Sequence, residues 1–461
     1  LCRELYEKQN SHIYLKKSYL FYTLLVIIAM VSVWLANHQH NFAANFNGFT
    51  VVFCMLFLDF ILWLHFFGVI RKYSKKKKCI LCVLFWLPFM LFVFGAVYSF
   101  LQPFGLWPPT LQTWYLGSIF IVYSAKVLPV FIYVISDIIH WITGLKKLGK
   151  QKEKAFLDAL LDMISSPLWV KFIARSGFSV VFIVLMFGAI VWPYRVEIKK
   201  LNFPLKDLPA SFNGFRIVQI SDLHLGSWPS KKSLKKIVSK TNDLNPDLIV
   251  FTGDLVTFTT KEAYPFREIL GKLHSEEGVI TILGNHDYGG YVKWASPNAK
   301  NKNLEDLFRL YQEMGWKLLL NESLVINKNG EQIAILGVEN WGSQKRFPQR
   351  ANLEKTLAQV ENIPVKILLS HDPTYWEKIV NQRDISILLT LSGHTHGMQI
   401  GIETGNFRWS PAKFIYTYWS GLYKDSKTPQ YLYVNQGLGC IGYPGRMGIW
   451  PEITLIELKV K

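Results

Sequence analysis

Residues 216–226 read RIVQISDLHLG. The apolar run from Phe215 to Ile220 has strand character, and two side chains able to bind a metal, Asp222 and His224, follow it at once. Further along the chain the same arrangement returns. Leu248 to Phe251 precedes Gly253-Asp254, Val279 to Leu283 precedes Gly284-Asn285-His286-Asp287, Val365 to Leu369 precedes His371-Asp372, and Ile385 to Leu391 precedes Gly393-His394-Thr395-His396. Polar motifs that follow buried strands gather at one end of a sheet, where α/β folds carry their sites. Taken singly, His224 or His371 is better read as a hydrogen-bonded core imidazole. Taken in this order, the motifs supply ligands for two metal ions. Asp, His and Asn are borderline to hard ligands suited to Mn, Fe or Zn, and no Cys stands in the motifs to suggest a structural thiolate site. Two such metals about 3.5–4 Å apart generate a hydroxide and clamp both oxygens of an in-line phosphoryl displacement, so phosphate ester hydrolysis is the expected reaction.

With these residues the chain resembles the calcineurin-like metallophosphoesterase superfamily, whose pattern is D-x-H, GD, GNH followed by an acid, H and GHxH. The resemblance covers residues 198–461 and is strongest to a membrane-anchored bacterial branch. It implies an α/β metallophosphoesterase domain, a two-sheet β-sandwich flanked by helices. It also implies that Asp222, His224 and His396 hold one metal, Asn285, His371 and His394 hold the second, and Asp254 bridges them. His286 would protonate or stabilise the leaving oxygen, with Asp287 orienting it. Met398 stands before Gln399 where that branch usually has Gly-Gln, which alters the pocket's shape and removes no ligand. Residues 435–439 (NQGLG), Gly445-Arg446 and residues 451–453 (PEI) resemble the branch's closing motifs. Arg446 is read either as a fork onto a substrate phosphate or as the partner of a surface carboxylate.

The composition changes near residue 195. Five apolar runs before it, 18–36, 48–70, 80–101, 114–135 and 177–192, approach bilayer-crossing length, so 1–197 is expected to be an α-helical transmembrane bundle and 198–461 the catalytic domain. The first run is expected to be a span and not a cleaved signal, because it is long, lacks a small-residue cleavage site and is followed by further spans. Residues 155–174, with apolar residues at helical spacing interrupted by Ser165-Ser166-Pro167, read as a cytoplasmic amphipathic segment.

The formal net charge of +18 does not point to nucleic acid, because up to residue 200 there are 21 Lys or Arg against 8 Asp or Glu, and beyond it 30 against 25. The excess lies before the first run, at 71–78 and at 146–175, whereas 37–47 and 102–113 carry no charge. The positive-inside rule then makes the N-terminus cytoplasmic and, with five spans, the catalytic domain extracytoplasmic. Asp59 and Lys126 fall inside spans and are expected to pair. Cys440 is the one Cys beyond residue 82, so the catalytic domain has no internal disulfide, and Cys79-x-x-Cys82 without a second pair is a weak metal or redox signal.

The expected partners are the lipid bilayer and a phosphodiester or lipid-linked phosphate. The aromatic segment Phe407 to Tyr423 reads either as a lip touching lipid or as a local core. Two other readings stand beside this one: a UDP-diacylglucosamine-type pyrophosphate hydrolase, which requires a cytoplasmic site, and a non-catalytic membrane scaffold, whose members usually lose ligands that this chain keeps.

Overall fold

The computed structural model describes residues 48–70, 73–145, 166–205, 207–228, 230–344, 347–383, 387–405 and 407–461. They divide into two compact units, one holding most of the apolar helices and the other comprising Gly105–Trp114 and Leu185–Lys461. This division falls earlier than residue 197, because the end of the last apolar helix and the short 105–114 segment group with the second unit.

Among the described residues, four apolar helices precede the sheets: α1 (Gly48–Ile70), α2 (Lys75–Leu101), α3 (Pro109–Leu145) and α4 (Leu168–Ile190). Among the described residues three segments are long and apolar enough to cross a membrane, Lys75–Leu101, Pro109–His140 and Leu168–Tyr194, and Val51–Phe66 is a shorter apolar helix. The expected run at 18–36 and most of the expected amphipathic segment, 155–165, lie outside the described residues. From Leu168 onward that segment is not a separate surface helix. It is the start of α4, which follows Pro167 without a further break. Proline is well placed there, since the first turn of a helix has no use for its missing N–H.

Inside the first unit, Asp59 and Lys126 do pair. Lys126 Nζ lies 2.5 Å from Asp59 Oδ1, and Tyr123 donates to Asp59 Oδ2 at 2.7 Å. All three are buried. A charge in an apolar bundle is tolerable only with such partners, so the pair ties α1 to α3.

Among its described residues the second unit contains two six-stranded sheets. The first has the order β1 (Glu197–Leu205), β14 (Glu452–Val460), β2 (Arg216–Ile220), β3 (Leu248–Phe251), β4 (Val279–Thr281), β5 (Trp316–Leu318). The second runs β12 (Gly421–Lys424), β13 (Tyr431–Val434), β9 (Ile387–Ser392), β8 (Lys366–Leu369), β7 (Glu331–Gly337), β6 (Glu322–Lys328). A small hairpin pairs β10 (Ile402–Thr404) with β11 (Phe407–Trp409). Strands β2 to β5 are mutually parallel, as are β7, β8, β9 and β13.

The site strands are continuous apolar runs because both of their faces are buried. Along β2, Ile217 points into the core between the sheets with Val250, Ile280, Ile335, Ile367 and Leu389, whereas Val218 and Ile220 join the outer core with Leu234, Ile237, Leu307 and Leu310. Those last four belong to helices α5 (Lys231–Asn242) and α6 (Pro297–Glu313). On the far side, Leu336, Leu368 and Val434 pack with Leu353 and Trp376. The architecture is the expected pair of β-sheets flanked by helices.

The chain after the last apolar helix enters the first sheet at once. Strand β1 lies parallel to β14 from Glu197 opposite Glu452 to Leu205 opposite Val460. The two ends of the second unit's main segment thereby close one edge of the first sheet.

Candidate metal centre

Each motif sits just past the carboxyl end of a parallel strand: Asp222 after β2, Asp254 after β3, Asn285 after β4, His371 after β8 and His394 after β9. The turns are tight. Asp222, His224, Asp254, His394 and His396 all have left-handed backbones, with φ of 51°, 41°, 59°, 73° and 51°. Such conformations cost of order 1–3 kcal/mol each outside glycine and persist where the surroundings impose them, typically at functional sites. Gly253 and Gly284 let two of these turns touch: a Cβ on Gly253 would stand 2.5 Å from the Gly284 nitrogen, and one on Gly284 would stand 2.6 Å from the Asp254 nitrogen.

The side chains converge in three groups, the first fully buried and the others largely so, that could hold a metal, each with its ligand atoms within 4.8 Å of one another: Asp222, His224 and His396; His224, Asp254 and His286; Asp254, His371 and His394. Asp254 lies between the flanking groups, its Oδ2 3.5 Å from His224 Nε2 and 3.1 Å from His371 Nε2. His224 Nε2 faces His396 Nε2 at 3.0 Å, and His396 Nε2 is 3.3 Å from Asp222 Oδ1. His371 Nε2 faces His394 Nδ1 at 3.3 Å.

These contacts fit a cation better than they fit hydrogen bonds. His371 Nδ1 lies 2.7 Å from the Thr252 carbonyl, which can only accept, so the proton of a neutral ring sits there and Nε2 offers a lone pair. That lone pair meets the carboxylate of Asp254 and a second imidazole. Asn285 donates through Nδ2 to Tyr291 Oη at 2.7 Å, while its buried Oδ1 has no hydrogen-bond partner. A buried orphan acceptor is costly unless something positive satisfies it. Donors of N and O type without thiolate suit Mn, Fe or Zn.

Protein charges pull these groups apart. Burial pushes Asp222 up to about 6 and drives His224 down to about 3 and His394 down to about 4. Burial works against the charge on Asp254, yet His371 and His286 hold its carboxyl well below the ordinary range. His371, also opposed by burial, is raised to about 10 by Asp254.

Asp287 and His286, the expected orienting acid and proton donor, have these surroundings. Asp287 spends its carboxylate on backbone: Oδ2 accepts from Gly284 N and Asp254 N, both at 2.9 Å, and Oδ1 accepts from Leu255 N at 2.9 Å and Val256 N at 3.3 Å. It locks the Gly253-Asp254 turn to the Gly284-Asn285 turn. The anchor of His286 is the Thr257 carbonyl, 2.7 Å from Nδ1, and the ring stacks on Tyr291 with centroids 4.2 Å apart.

Arg446, expected either as a fork onto a substrate phosphate or as the partner of a surface carboxylate, has backbone carbonyls as its hydrogen-bond partners. It is fully buried, and its guanidinium donates to the carbonyls of Gln436 at 2.9 Å, Gly437 at 3.0 Å and Gly439 at 2.7 Å. It therefore shapes the loop whose Gly439 N–H donates to the Asp222 carbonyl at 2.8 Å.

Sequence reading missed Tyr416, whose hydroxyl lies 3.0 Å from His394 Nε2, and Thr252 and Thr257, whose carbonyls orient His371 and His286. A carbonyl carries no residue signature, so only Tyr416 had a visible signal, its place in the aromatic segment. That segment is divided. Tyr416 and Trp419 form a small core with Ala412 and Ile449, while Phe414 and Ile415 are exposed.

A family model for the calcineurin-like phosphoesterases matches residues 215–398. The chain is similar to an uncharacterized metallophosphoesterase of Bacillus subtilis, with 32% identity over 58% of this chain and 87% of that protein. It is similar to a transmembrane protein with metallophosphoesterase domain of Danio rerio, with 31% identity over 60% of each chain. A UDP-2,3-diacylglucosamine pyrophosphatase of Chlamydia trachomatis is 29% identical over 54% of this chain and 84% of its own length. The motifs, the two-sheet fold and these relatives agree: the chain belongs to the calcineurin-like metallophosphoesterases, metal-dependent phosphoester hydrolases, and it is a membrane protein.

Proposed function

We propose that this protein is a membrane-anchored dinuclear phosphoesterase that hydrolyses a phosphodiester or lipid-linked phosphate. The observation that carries the reading is the position of Asp254, shared by the Asp222–His224–His396 side and the His371–His394 side of the cluster. Asp222, His224 and His396 would hold one divalent cation and Asn285, His371 and His394 the other, with Asp254 between them. Such a pair supplies Lewis acidity at the phosphoryl oxygens and a nucleophile at neutral pH.

The chain's own residues do the rest. Thr252 and Tyr416 fix the ring orientations of His371 and His394, keeping the ligand lone pairs aimed inward. His286 commits Nδ1–H to Thr257, so proton exchange with the leaving oxygen falls to Nε2. Asp287 holds the two turns that carry Asp254, Asn285 and His286 at a fixed separation.

Charge distribution supports an extracytoplasmic site. Gly105–Trp114 groups with the catalytic unit, and Thr113 Oγ1 donates to the Gly226 carbonyl at 3.1 Å. This uncharged connection joins α2 to α3, whose other ends lead to the basic stretches at 71–78 and 146–154. By the positive-inside rule the basic stretches belong on the cytoplasmic side and the uncharged connection on the other, which favours an extracytoplasmic site. The similarity to the chlamydial enzyme favours a second reading, a lipid-precursor pyrophosphate, which needs the opposite orientation. A reporter fused after Pro193 separates them: activity only outside the cytoplasm supports the first, and activity only inside supports the second.

Activity is tested on the purified full chain with Mn and matched chromogenic phosphomonoester and phosphodiester. Metal-dependent turnover reduced about 10²–10⁴-fold in His286→Ala is expected. Full turnover in the presence of a chelator would overturn the reading.

A further inference from the structure

Glu262 is a buried acid that belongs to none of the five motifs. Its carboxylate accepts from four backbone N–H groups. Oε2 takes Thr257 N at 2.7 Å and Gly226 N at 3.0 Å, and Oε1 takes Phe258 N at 2.7 Å and Thr259 N at 3.0 Å. The Thr259 bond belongs to the capping box of the short helix Thr260–Glu262. The other three go beyond a cap: they pin residues 257 and 258 to Gly226, on the loop that follows His224. The approach is close, since a Cβ on Gly226 would stand 2.6 Å from Glu262 Oε2.

Thr257 is where this clamp meets the site. Its carbonyl lies 2.7 Å from His286 Nδ1, and its hydroxyl lies 3.3 Å from His224 Nδ1. A carbonyl can only accept, so His286 carries a proton on Nδ1 and presents Nε2. A hydroxyl can accept as well, and a proton on His224 Nδ1 leaves the Nε2 lone pair directed toward Asp254 Oδ2, 3.5 Å away. The two rings stand edge to face with centroids 4.9 Å apart. One residue therefore holds a candidate ligand and the candidate acid, each by a different atom.

We propose that Glu262 is a positioning residue for the reaction: by fixing Thr257 it keeps His224 turned toward the cation of the Asp222 side and His286 toward the leaving oxygen. This assignment rests on the phosphoesterase reading above and adds to it a residue outside the motifs. Glu262 touches none of the reacting groups and acts through the backbone. A carboxylate suits the task because both oxygens accept, whereas an amide would meet one pair of N–H groups with a donor.

The test is Mn binding to the purified full chain, measured without substrate by competition with a chelator. In Glu262→Gln one of the two ions is expected to bind about 10–100-fold more weakly. At saturating Mn, kcat for methyl 4-nitrophenyl phosphate should still fall about tenfold or more with little change in KM, because His286 moves with Thr257. A residue that only stabilises the fold would move neither quantity in the folded fraction. Thr257→Ala removes the hydroxyl and leaves the carboxylate in place, so it decides the matter where Glu262→Gln does not fold. Its affinity for one ion should fall about tenfold or more, and Thr257→Ser should restore it. Wild-type affinity for both ions in folded Glu262→Gln, or in Thr257→Ala, overturns the proposal. A wild type that binds no Mn would instead overturn the phosphoesterase reading on which it rests.

Discussion

Asp254 and Asp287 are both buried acids of the same site, and their environments set them different tasks. Asp254 faces two imidazoles, whereas Asp287 accepts four backbone N–H groups. Asp254→Ala should chiefly abolish metal binding. Asp287→Ala should chiefly destabilise, by about 2–4 kcal/mol, because it leaves buried donors unpaired; urea unfolding measures this, and unchanged stability would return Asp287 to an orienting role for His286. Arg446→Met should likewise cost about 3 kcal/mol, with no change in KM for a small phosphodiester in the folded fraction. A raised KM at unchanged stability would mean that the guanidinium reaches substrate. The motif positions were legible in the sequence because Asp, His and Asn, set one after another at the ends of apolar runs, meet no packing or capping need that smaller polar residues would not meet as well. The partners of Asp287 and Arg446 were not legible, because both sets are backbone atoms brought together by tertiary structure.

At the scale of elements, the apolar runs before each motif are the strands that hold the site, within a residue or two. Their outward and inward alternation was hidden in the sequence because both faces are buried. The closure of the first sheet by β1 and β14 joins residues some 250 positions apart, and no local pattern announces such a pairing. One ionic link holds the small hairpin to this edge: Lys199 on β1 lies 3.0 Å from Glu403 on β10 and 3.2 Å from Glu452 on β14. Burial opposes ionisation of Glu403, but Lys199 holds its carboxyl below the ordinary value of 4.5. A depressed carboxyl contributes stability that is full above 4.5 and is lost as pH falls through its folded value. Glu403→Gln should therefore flatten the fall of Tm on acidification below that pH, and an unaltered slope would deny the link. Tyr416→Phe, which removes the hydroxyl from His394, should weaken metal affinity about 10–100-fold as measured by competition with a chelator.

For the whole molecule, the membrane helices and the hydrolase fold serve one purpose if the substrate is itself lipid-borne. Only six residues separate α4 from β1, so the chain leaves its last apolar helix almost directly into the first sheet. The buried Asp59–Lys126 pair should behave as a brace: either single substitution, Asp59→Asn or Lys126→Met, is expected to cost about 3–5 kcal/mol, and the double substitution less than their sum. Thermal unfolding in detergent measures this coupling, and simple additivity would contradict it. The central claim, that one buried carboxylate joins two cation sites, is tested most directly by the metal content of the purified full chain and of its Asp254→Ala variant, measured by mass spectrometry after loading with Mn. About two ions per chain in the wild type, falling below one in the variant, is the expected result. A wild type holding a single ion, or a variant that keeps both, would contradict it.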